Sequence, residues 1–205
     1  MSIIHTIKSN PGLKKFVHWC LIPTHQARPR LWVKWFVNPF FHKKGKGTTI
    51  CRQTRVDVLP FQIFNLGDYS TVEDFATINN GVGAVTIGNN SRIGIGNVII
   101  GPVTIGNNVI LAQNIVMSGL NHNYANIEIP IYLQGETVAC ITIEDDCWIG
   151  ANVVITAGVT IGKHSVVAGG AVVTKNIPPF CVAVGNPARV VKKYNFEKKL
   201  WEKVY

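Results

Sequence analysis

The feature that most constrains this chain is a hydrophobic repeat of six residues. From Ile87 to Met117, and again from Ile143 to Val173, every sixth residue is aliphatic or methionine. The twelve positions are Ile87, Ile93, Ile99, Ile105, Leu111, Met117, Ile143, Ile149, Ile155, Ile161, Val167 and Val173. The residue after each of them is small in ten cases, and an earlier set (Leu66, Val72, Ile78) has the same spacing. Such self-similarity is the mark of a repeat architecture.

A period of six matches neither an α-helix nor a plain alternating strand. It predicts a strand of two or three residues followed by a tight corner, with the aliphatic residue pointing inward. Segments such as "IGNN" at residues 87–90 would occupy the corners, where positive φ or close packing excludes bulky side chains. Three strands would close one triangular turn, and stacked turns would bury a continuous core. We therefore predict an all-β solenoid, a parallel β-helix of about five coils.

The repeat is interrupted between Met117 and Ile143, which are 26 residues apart where the period allows six. A solenoid tolerates an insertion at a corner, because the coils on either side still stack. We predict an extruded loop over residues 118–138. Long loops without their own secondary structure are often functional, and this one contains His122.

Composition narrows the function classes. The chain is 47% apolar and 15% charged, which suits a β-rich globular protein. Its five cysteines are scattered, without a C-x-x-C pair, so we predict free thiols in the cytoplasm and no zinc site. No apolar segment typical of a secretory signal is visible. No Walker or dinucleotide glycine motif and no recognised nucleic-acid-binding module is present, so neither ATP, NAD nor nucleic acid is expected as a ligand.

Charge is distributed unevenly. Before Asp57 there are eleven Lys or Arg residues and no acid, whereas nine basic residues face eleven acidic ones from there on. Residues 1–56 mix this charge with aromatics, as in "RPRLWVKWFVNPFFHKKGKG". Two interpretations stay open: a helical cap over the end of the solenoid, or contact of residues 14–46 with an anionic membrane surface. We place the β-helix domain at residues 57–188 and predict a basic C-terminal helix over 189–205.

The stretch "CWIGANVVITAGVTIGKHSVVAGGAVVTKNIPPFCVAVGNPARVVKK" resembles the hexapeptide-repeat acetyltransferases, whose fold is a left-handed parallel β-helix. It is similar to galactoside and maltose O-acetyltransferases and to the O-acetyltransferases of polysaccharide biosynthesis. The resemblance covers roughly residues 60 to 193. It implies acetyl-CoA as acyl donor, no metal, and a saccharide acceptor, either a small molecule or a lipid-linked sugar of surface polysaccharide biosynthesis. It also implies a homotrimer with its site between subunits.

The resemblance further implies roles for individual residues. His122, at the root of the extruded loop, matches the general base. An imidazole, with an unperturbed pKa near ~6.5, can take up a proton at cellular pH. Glu128 or a backbone carbonyl of the loop would orient its ring, because Asn123 stands where related enzymes carry an acid. The positions that match the cofactor groove are Trp148, Ala151 and Gly169 for the pantetheine arm, and Thr174, Lys175 and Arg189 for the adenine and phosphates.

Three other functions compete with acetyl transfer to a saccharide hydroxyl. Acetylation of an amine, on an amino sugar or a drug, would use the same fold and donor. A γ-class carbonic anhydrase needs three histidines on zinc, and the solenoid region contains only His122 and His164. A non-catalytic scaffold would not need the loop histidine. Arg92 and Ile100 replace polar residues of galactoside-type enzymes, which makes a simple galactoside an unexpected acceptor.

Overall fold

The chain winds into a parallel β-solenoid with three faces. In this computed structural model, residues 6, 7 and 9–204 are described. The first strands in chain order are β1 (Lys43–Lys44), β2 (Thr49–Ile50), β3 (Arg55–Asp57), β4 (Phe64–Leu66), β5 (Thr71–Val72), β6 (Thr77–Asn79), β7 (Val85–Ile87), β8 (Arg92–Ile93), β9 (Val98–Ile100), β10 (Val103–Ile105), β11 (Ile110–Leu111) and β12 (Val116–Ser118). The remaining strands are β13 (Leu120–His122), β14 (Glu136–Val138), β15 (Ile141–Ile143), β16 (Trp148–Ile149), β17 (Val154–Ile155), β18 (Thr160–Ile161), β19 (Val166–Val167), β20 (Val172–Val173), β21 (Cys181–Val184), β22 (Arg189–Asn195) and β23 (Leu200–Lys203).

Successive strands go to three different sheets. Sheet A has the order β1-β4-β7-β10-β15-β18, and sheet C has the order β3-β6-β9-β12-β17-β20. Sheet B begins β2-β5-β8-β11-β16-β19 and is extended by β21, β22 and β23. The solenoid pairs are parallel and in register from one coil to the next, as in Ile105↔Ile143. This is the left-handed parallel β-helix expected of hexapeptide repeats, with six coils rather than the predicted five.

The predicted aliphatic ladder is the core. All fifteen positions at the six-residue spacing are buried, none with more than 3% of its surface exposed. Because equivalent residues stack in register, each coil covers the apolar side chains of its neighbours. At about 25 cal/mol per Å² of apolar surface removed from water, this ladder is the main source of stability.

Glycine and asparagine at the corners have different tasks. Asn90, the last residue of the first "IGNN" corner, has φ of 53°, in the left-handed region that asparagine tolerates. Gly88 in the same corner stacks on the next coil, and a Cβ there would lie 2.5 Å from the carbonyl carbon of Gly106. Glycine is therefore required for close approach, and asparagine supplies the positive φ.

The corner between sheets A and B also carries a ladder of side-chain hydrogen bonds. The Oδ1 atom of Asn89 accepts from the backbone N–H of Asp68 at 2.8 Å, and Asn107 Oδ1 accepts from the N–H of Asn89 at 2.8 Å. Asp145 Oδ1 accepts from the N–H of Asn107 at 2.7 Å. Each coil thus satisfies a backbone donor of the coil before it, which the sheets leave unpaired.

The N-terminal segment is helical before the solenoid begins. It contains α1 (Pro11–Leu21), a π-helical turn (Val33–Val37) and α2 (Asn38–Phe41). Asn10 caps α1, since its Oδ1 accepts from the N–H of Leu13 at 3.0 Å. Among the described residues, no helix has the length and apolar character needed to cross a bilayer.

Two predicted boundaries are wrong. The solenoid starts at β1, so the predicted domain boundary at residue 57 falls at the end of β3, inside the first coil. The predicted C-terminal helix over 189–205 is instead an antiparallel pair, β22 with β23, in which Tyr194 faces Trp201. The rings of Tyr194 and Trp201 pack edge to face, and Phe180 and Phe196 do the same. The cross-strand contact of Tyr194 with Trp201, and the packing of Phe196 on Phe180 next to β21, favour the hairpin over a helix.

Candidate active site

The predicted extruded loop is a β-hairpin. β13 and β14 pair antiparallel, with His122 opposite Glu136. The base is closed by the N–H of Ala139, which donates to the carbonyl of Gly119 at 2.9 Å. Asn123 extends the pairing, because its N–H donates to the carbonyl of Gly135 at 3.1 Å and its Oδ1 accepts from the Thr137 hydroxyl at 2.6 Å.

Gln134 orders the tip of this hairpin. Its Nε2 donates to the carbonyls of Asn126 and Ile129, both at 2.7 Å, and its Oε1 accepts from the N–H of Asn126 at 3.0 Å. Asn126 in turn accepts through Oδ1 from the N–H of Glu128 at 2.9 Å. The loop is therefore built from its own hydrogen bonds, and its polar composition supplies the partners that its backbone needs.

His122 faces a carboxylate that sequence reasoning missed. The Nδ1 atom of His122 lies 3.9 Å from Oε1 of Glu136, with the two side chains 56% and 45% exposed. This separation is too long for a direct hydrogen bond. Glu128, the carboxylate named from the sequence, lies at the tip of the hairpin instead.

The hairpin emerges from the corner between sheets C and A. The chain leaves β12 of sheet C, forms the hairpin and re-enters at β15 of sheet A. One coil further, the N–H of Gly158 donates to the carbonyl of Ala139 at 3.2 Å, which ties the hairpin base to the solenoid. His122 thus stands outside the solenoid, on the corner that is opposite sheet B.

Trp148 lies on sheet B, on β16 between Ile110 and Val166 of the adjacent coils. Its neighbour Ile149 points into the core, so the indole points outward and is 53% exposed. An indole half open to solvent on a flat strand face can pack against a ligand or a second subunit.

Ala151 and Gly169 are brought together at the corner between sheets B and C. The N–H of Gly170 donates to the carbonyl of Ala151 at 2.8 Å. A Cβ at Gly169 would lie 3.1 Å from that carbonyl oxygen. These small residues leave backbone exposed at the edge of the Trp148 face, where an extended ligand can approach closely.

The three predicted phosphate-side residues are exposed but separated. Thr174 and Lys175 follow β20 at the corner between sheets C and A, the same corner from which the hairpin emerges. Arg189 begins β22 on the extension of sheet B, and its Nη1 donates to the carbonyl of Ala188 at 3.3 Å. Within one chain, the predicted site residues therefore form two groups on opposite sides of the solenoid. The first group lies at the corner between sheets C and A and contains His122, Thr174 and Lys175. The second lies on or beside sheet B and contains Trp148, Ala151, Gly169 and Arg189.

The remaining candidates occupy ordinary structural positions. Arg92 points outward from sheet B, where its Nε lies 2.7 Å from Oε1 of Glu73. Ile100 ends β9 and is partly buried. In the part of the chain that the structure describes, no three His, Cys, Asp or Glu side chains are grouped closely enough to hold a metal ion.

Comparisons with known proteins agree with the repeat. The family model "Hexapeptide repeat of succinyl-transferase" matches residues 84–118 and 140–175, the coils on either side of the hairpin. The coils on either side of the hairpin are therefore similar to hexapeptide repeats. The family model stops where the period is interrupted, at the hairpin, and resumes with the coil that carries β15.

Individual relatives add detail. Galactoside O-acetyltransferase of Escherichia coli K12 is 42% identical over 93 residues, which are 45% of this chain and 44% of the relative. The chain thus matches less than half of that relative's length. A hexapeptide-repeat acetyltransferase of Vibrio cholerae O1 biovar eltor, solved with acetyl coenzyme A, is 25% identical, with a TM-score of 0.53 over 75% of this chain and 71% of that one.

The fold alone is also shared with AntD, an N-acyltransferase from Bacillus cereus solved with dTDP and 3-hydroxybutyryl-CoA. It is 19% identical, with a TM-score of 0.66 over 78% of this chain and 88% of that one.

Proposed function

We propose that this hexapeptide-repeat protein is an acetyl-CoA-dependent O-acetyltransferase of the cytoplasm that acts on a saccharide hydroxyl in surface polysaccharide biosynthesis. The observation that carries the proposal is the exposed His122 opposite Glu136, on a hairpin that interrupts the coils matching the hexapeptide-repeat family model. The relatives' names support acetyl transfer and, for the Escherichia coli enzyme, a galactoside acceptor.

The chemistry follows from one base and one activated donor. His122 removes the proton of the acceptor hydroxyl as the oxygen attacks the thioester carbonyl. The carbon–sulfur bond then breaks, the acetyl group stays on the oxygen, and the thiolate of coenzyme A takes the proton. No acyl-enzyme is needed, because the thioester is already activated. A positioned base of this kind accelerates such a transfer by about 10²- to 10⁴-fold.

Glu136 would act as a positioning residue for the base, since its Oε1 lies 3.9 Å from Nδ1 of His122 across the hairpin. Removing the Glu136 carboxylate should slow transfer much less than removing the imidazole itself.

The donor would lie along sheet B. Trp148, with the small residues Ala151 and Gly169 beside it, would line the pantetheine arm. Arg189, on the extension of sheet B, would supply a cationic group for the adenine and phosphates of a donor on its own chain. Thr174 and Lys175, which share the corner of His122, would reach the adenine and phosphates of a donor that lies along sheet B of the neighbouring subunit. Since His122 stands on the opposite side of the same chain, the base and this wall can meet at one thioester only across two subunits. The geometry therefore supports a homotrimer with shared sites.

The test has two parts. Titration calorimetry of the protein with acetyl-CoA should show saturable binding near one site per chain. Thiol release should then be followed with a panel of sugars and amino sugars. Acetylation of amines alone would contradict the O-acetyl assignment, and no acetyl-CoA binding up to millimolar concentration would contradict the enzyme.

His122→Asn tests the base against a matched control, His164→Asn. His164 is exposed at a solenoid corner with φ of 57°, where Asn90 and Asn108 stand in earlier coils, so asparagine fits there without strain. We expect His122→Asn to bind acetyl-CoA normally and to lose about 10²- to 10⁴-fold in turnover. His164→Asn should retain the parent rate. Parent-like turnover of His122→Asn would refute the mechanism.

A further inference from the structure

A large aromatic surface lies at the N-terminal end of the solenoid, away from the candidate active site. We define the aromatic face as the exposed rings of the helical segment: Phe16, Trp19, Trp32, Trp35, Phe36, Phe40 and Phe41. Trp35 is 64% exposed and Phe40 is 83% exposed, and α1 has no buried residue. Seven exposed rings on one short segment are characteristic of an interaction site.

The same segment is nonetheless fixed to the first coil. Asp57 is buried at the end of β3, where its carboxylate lies 2.7 Å from Nε of Arg55 and 3.4 Å from Nε of Arg28. Val33 is fully buried, and the Asn38 side chain donates to the carbonyl of Val58 at 2.8 Å. The aromatic face therefore lies on a segment that is packed against the first coil.

Between the helical segment and the first coil lies a cavity of about 660 Å³. Its lining includes the cations Lys34, Lys44 and Arg52 over apolar side chains such as Ile50 and Phe64, with no acidic residue. The whole chain before Asp57 contains eleven basic residues and no acid. Such a surface repels a second copy of itself and attracts an anion.

Two residues that line the cavity, Asn38 and His42, also have buried polar atoms without a hydrogen-bond partner among the described residues. Asn38 is only 5% exposed, and its Oδ1 has no hydrogen-bond partner among the described residues. The same is true of both ring nitrogens of His42. Burial, and secondly the charge of Lys44, lowers the pKa of His42, so its neutral ring offers one donor and one acceptor. A hydroxylated ligand would satisfy these atoms, and leaving them unpaired is costly.

We propose that the N-terminal end of the solenoid docks on an anionic phospholipid bilayer. The aromatic face enters the headgroup region, and the cavity receives a phosphodiester headgroup that carries hydroxyls, of the phosphatidylglycerol type. Lys34, Lys44 and Arg52 bind its phosphate, while Asn38 and His42 bind its hydroxyls. Aromatic rings and basic side chains are the residues that hold peripheral proteins at such interfaces. None of these residues belongs to the proposed acetyltransferase site, so acetyl-CoA titration reports on the two proposals separately.

The test is co-sedimentation of the full chain with vesicles of phosphatidylcholine alone and with about one third phosphatidylglycerol. We expect binding to the anionic vesicles that weakens as salt is raised. Each cation at the membrane surface raises the binding constant for anionic vesicles by about fivefold. The double variant Lys44→Gln with Arg52→Gln should therefore weaken binding by roughly 30-fold. The matched control, Lys192→Gln with Lys203→Gln on the C-terminal strands, removes the same charge and should weaken it by less than about threefold.

Trp35→Ser with Phe40→Ser tests the aromatic face, with Tyr132→Ser on the hairpin as control. The double variant should lose most vesicle binding, whereas the control keeps it. Equal losses in the two charge variants would overturn the proposal in favour of diffuse attraction. It would also be overturned by absence of binding to anionic vesicles at low salt, or by an aromatic variant that changes only the oligomeric state in light scattering.

Discussion

Removing the Trp148 indole should weaken acetyl-CoA binding without unfolding the protein. A tryptophan presents up to about 250 Å², and 53% of this one is exposed on sheet B, which leaves roughly 130 Å² for a ligand. If the pantetheine arm covers about half of that area, burial at about 25 cal/mol per Å² contributes roughly 1.5 kcal/mol. Trp148→Ala should therefore raise the Kd for acetyl-CoA by about tenfold, and by up to about 200-fold if the coverage is complete.

The assay is titration calorimetry at fixed salt, with thermal unfolding as a check on the fold. Trp35→Ala is the matched control, because it makes the same chemical change at an indole that is 64% exposed on the aromatic face. The control should bind acetyl-CoA like the parent. A Kd for Trp148→Ala within about threefold of the parent, in a protein that does bind, would refute the placement of the donor on sheet B.

Three further predictions concern stability and reactivity. Ile149→Ala, next to Trp148 but fully buried, should cost about 2–5 kcal/mol in denaturant unfolding; a cost below about 1 kcal/mol would contradict the packed ladder. Burial raises the pKa of Cys147 to about 11, so its thiol stays protonated at pH 8. Cys147 should therefore react with a disulfide reagent only on unfolding, whereas the exposed Cys140 should react in the native protein. Peptide mapping of the modified cysteines would show which of them has reacted. Asp57→Asn removes the charge that faces Arg55 and should lower the free energy of unfolding by about 1–2 kcal/mol. The helical segment should then be cleaved faster by a protease. An unchanged cleavage rate would mean that other contacts hold this segment on the first coil.

The fold was predictable because few other structures accommodate the residue types of this repeat. An aliphatic residue at every sixth position, followed by a small one, fits a short inward strand and a tight corner, and both ladders are buried as predicted. The first coil was missed although it has the same spacing. Lys44, Ile50 and Val56 pair in register with Leu66, Val72 and Ile78. Its series begins with a lysine, and at the end of a solenoid the inward position need not be fully apolar.

The C-terminal error has a different cause. "YNFEKKLWEKVY" has the charge and apolar content of an amphipathic helix, and local sequence alone favours that interpretation. The chain instead adds β22 to β21, with which it pairs from Cys181↔Lys193 to Val184↔Arg189. The solenoid ends in a strand with an unpaired edge, and covering that edge outweighs helix propensity.

The candidate site, too, could be predicted from the sequence only in part. The position of His122 follows from the interrupted period, since an insertion must leave the solenoid at a corner. Its partner does not follow from the period, because it depends on the register of a hairpin outside the repeat. A shift of one residue would put Thr137 or Gly135 opposite His122 in place of Glu136. That register is held by Asn123 and Gln134, whose side chains bond to backbone across the hairpin. Gln134→Ala should therefore lower turnover through the position of His122 while the coils, which do not depend on the hairpin, unfold at the parent temperature.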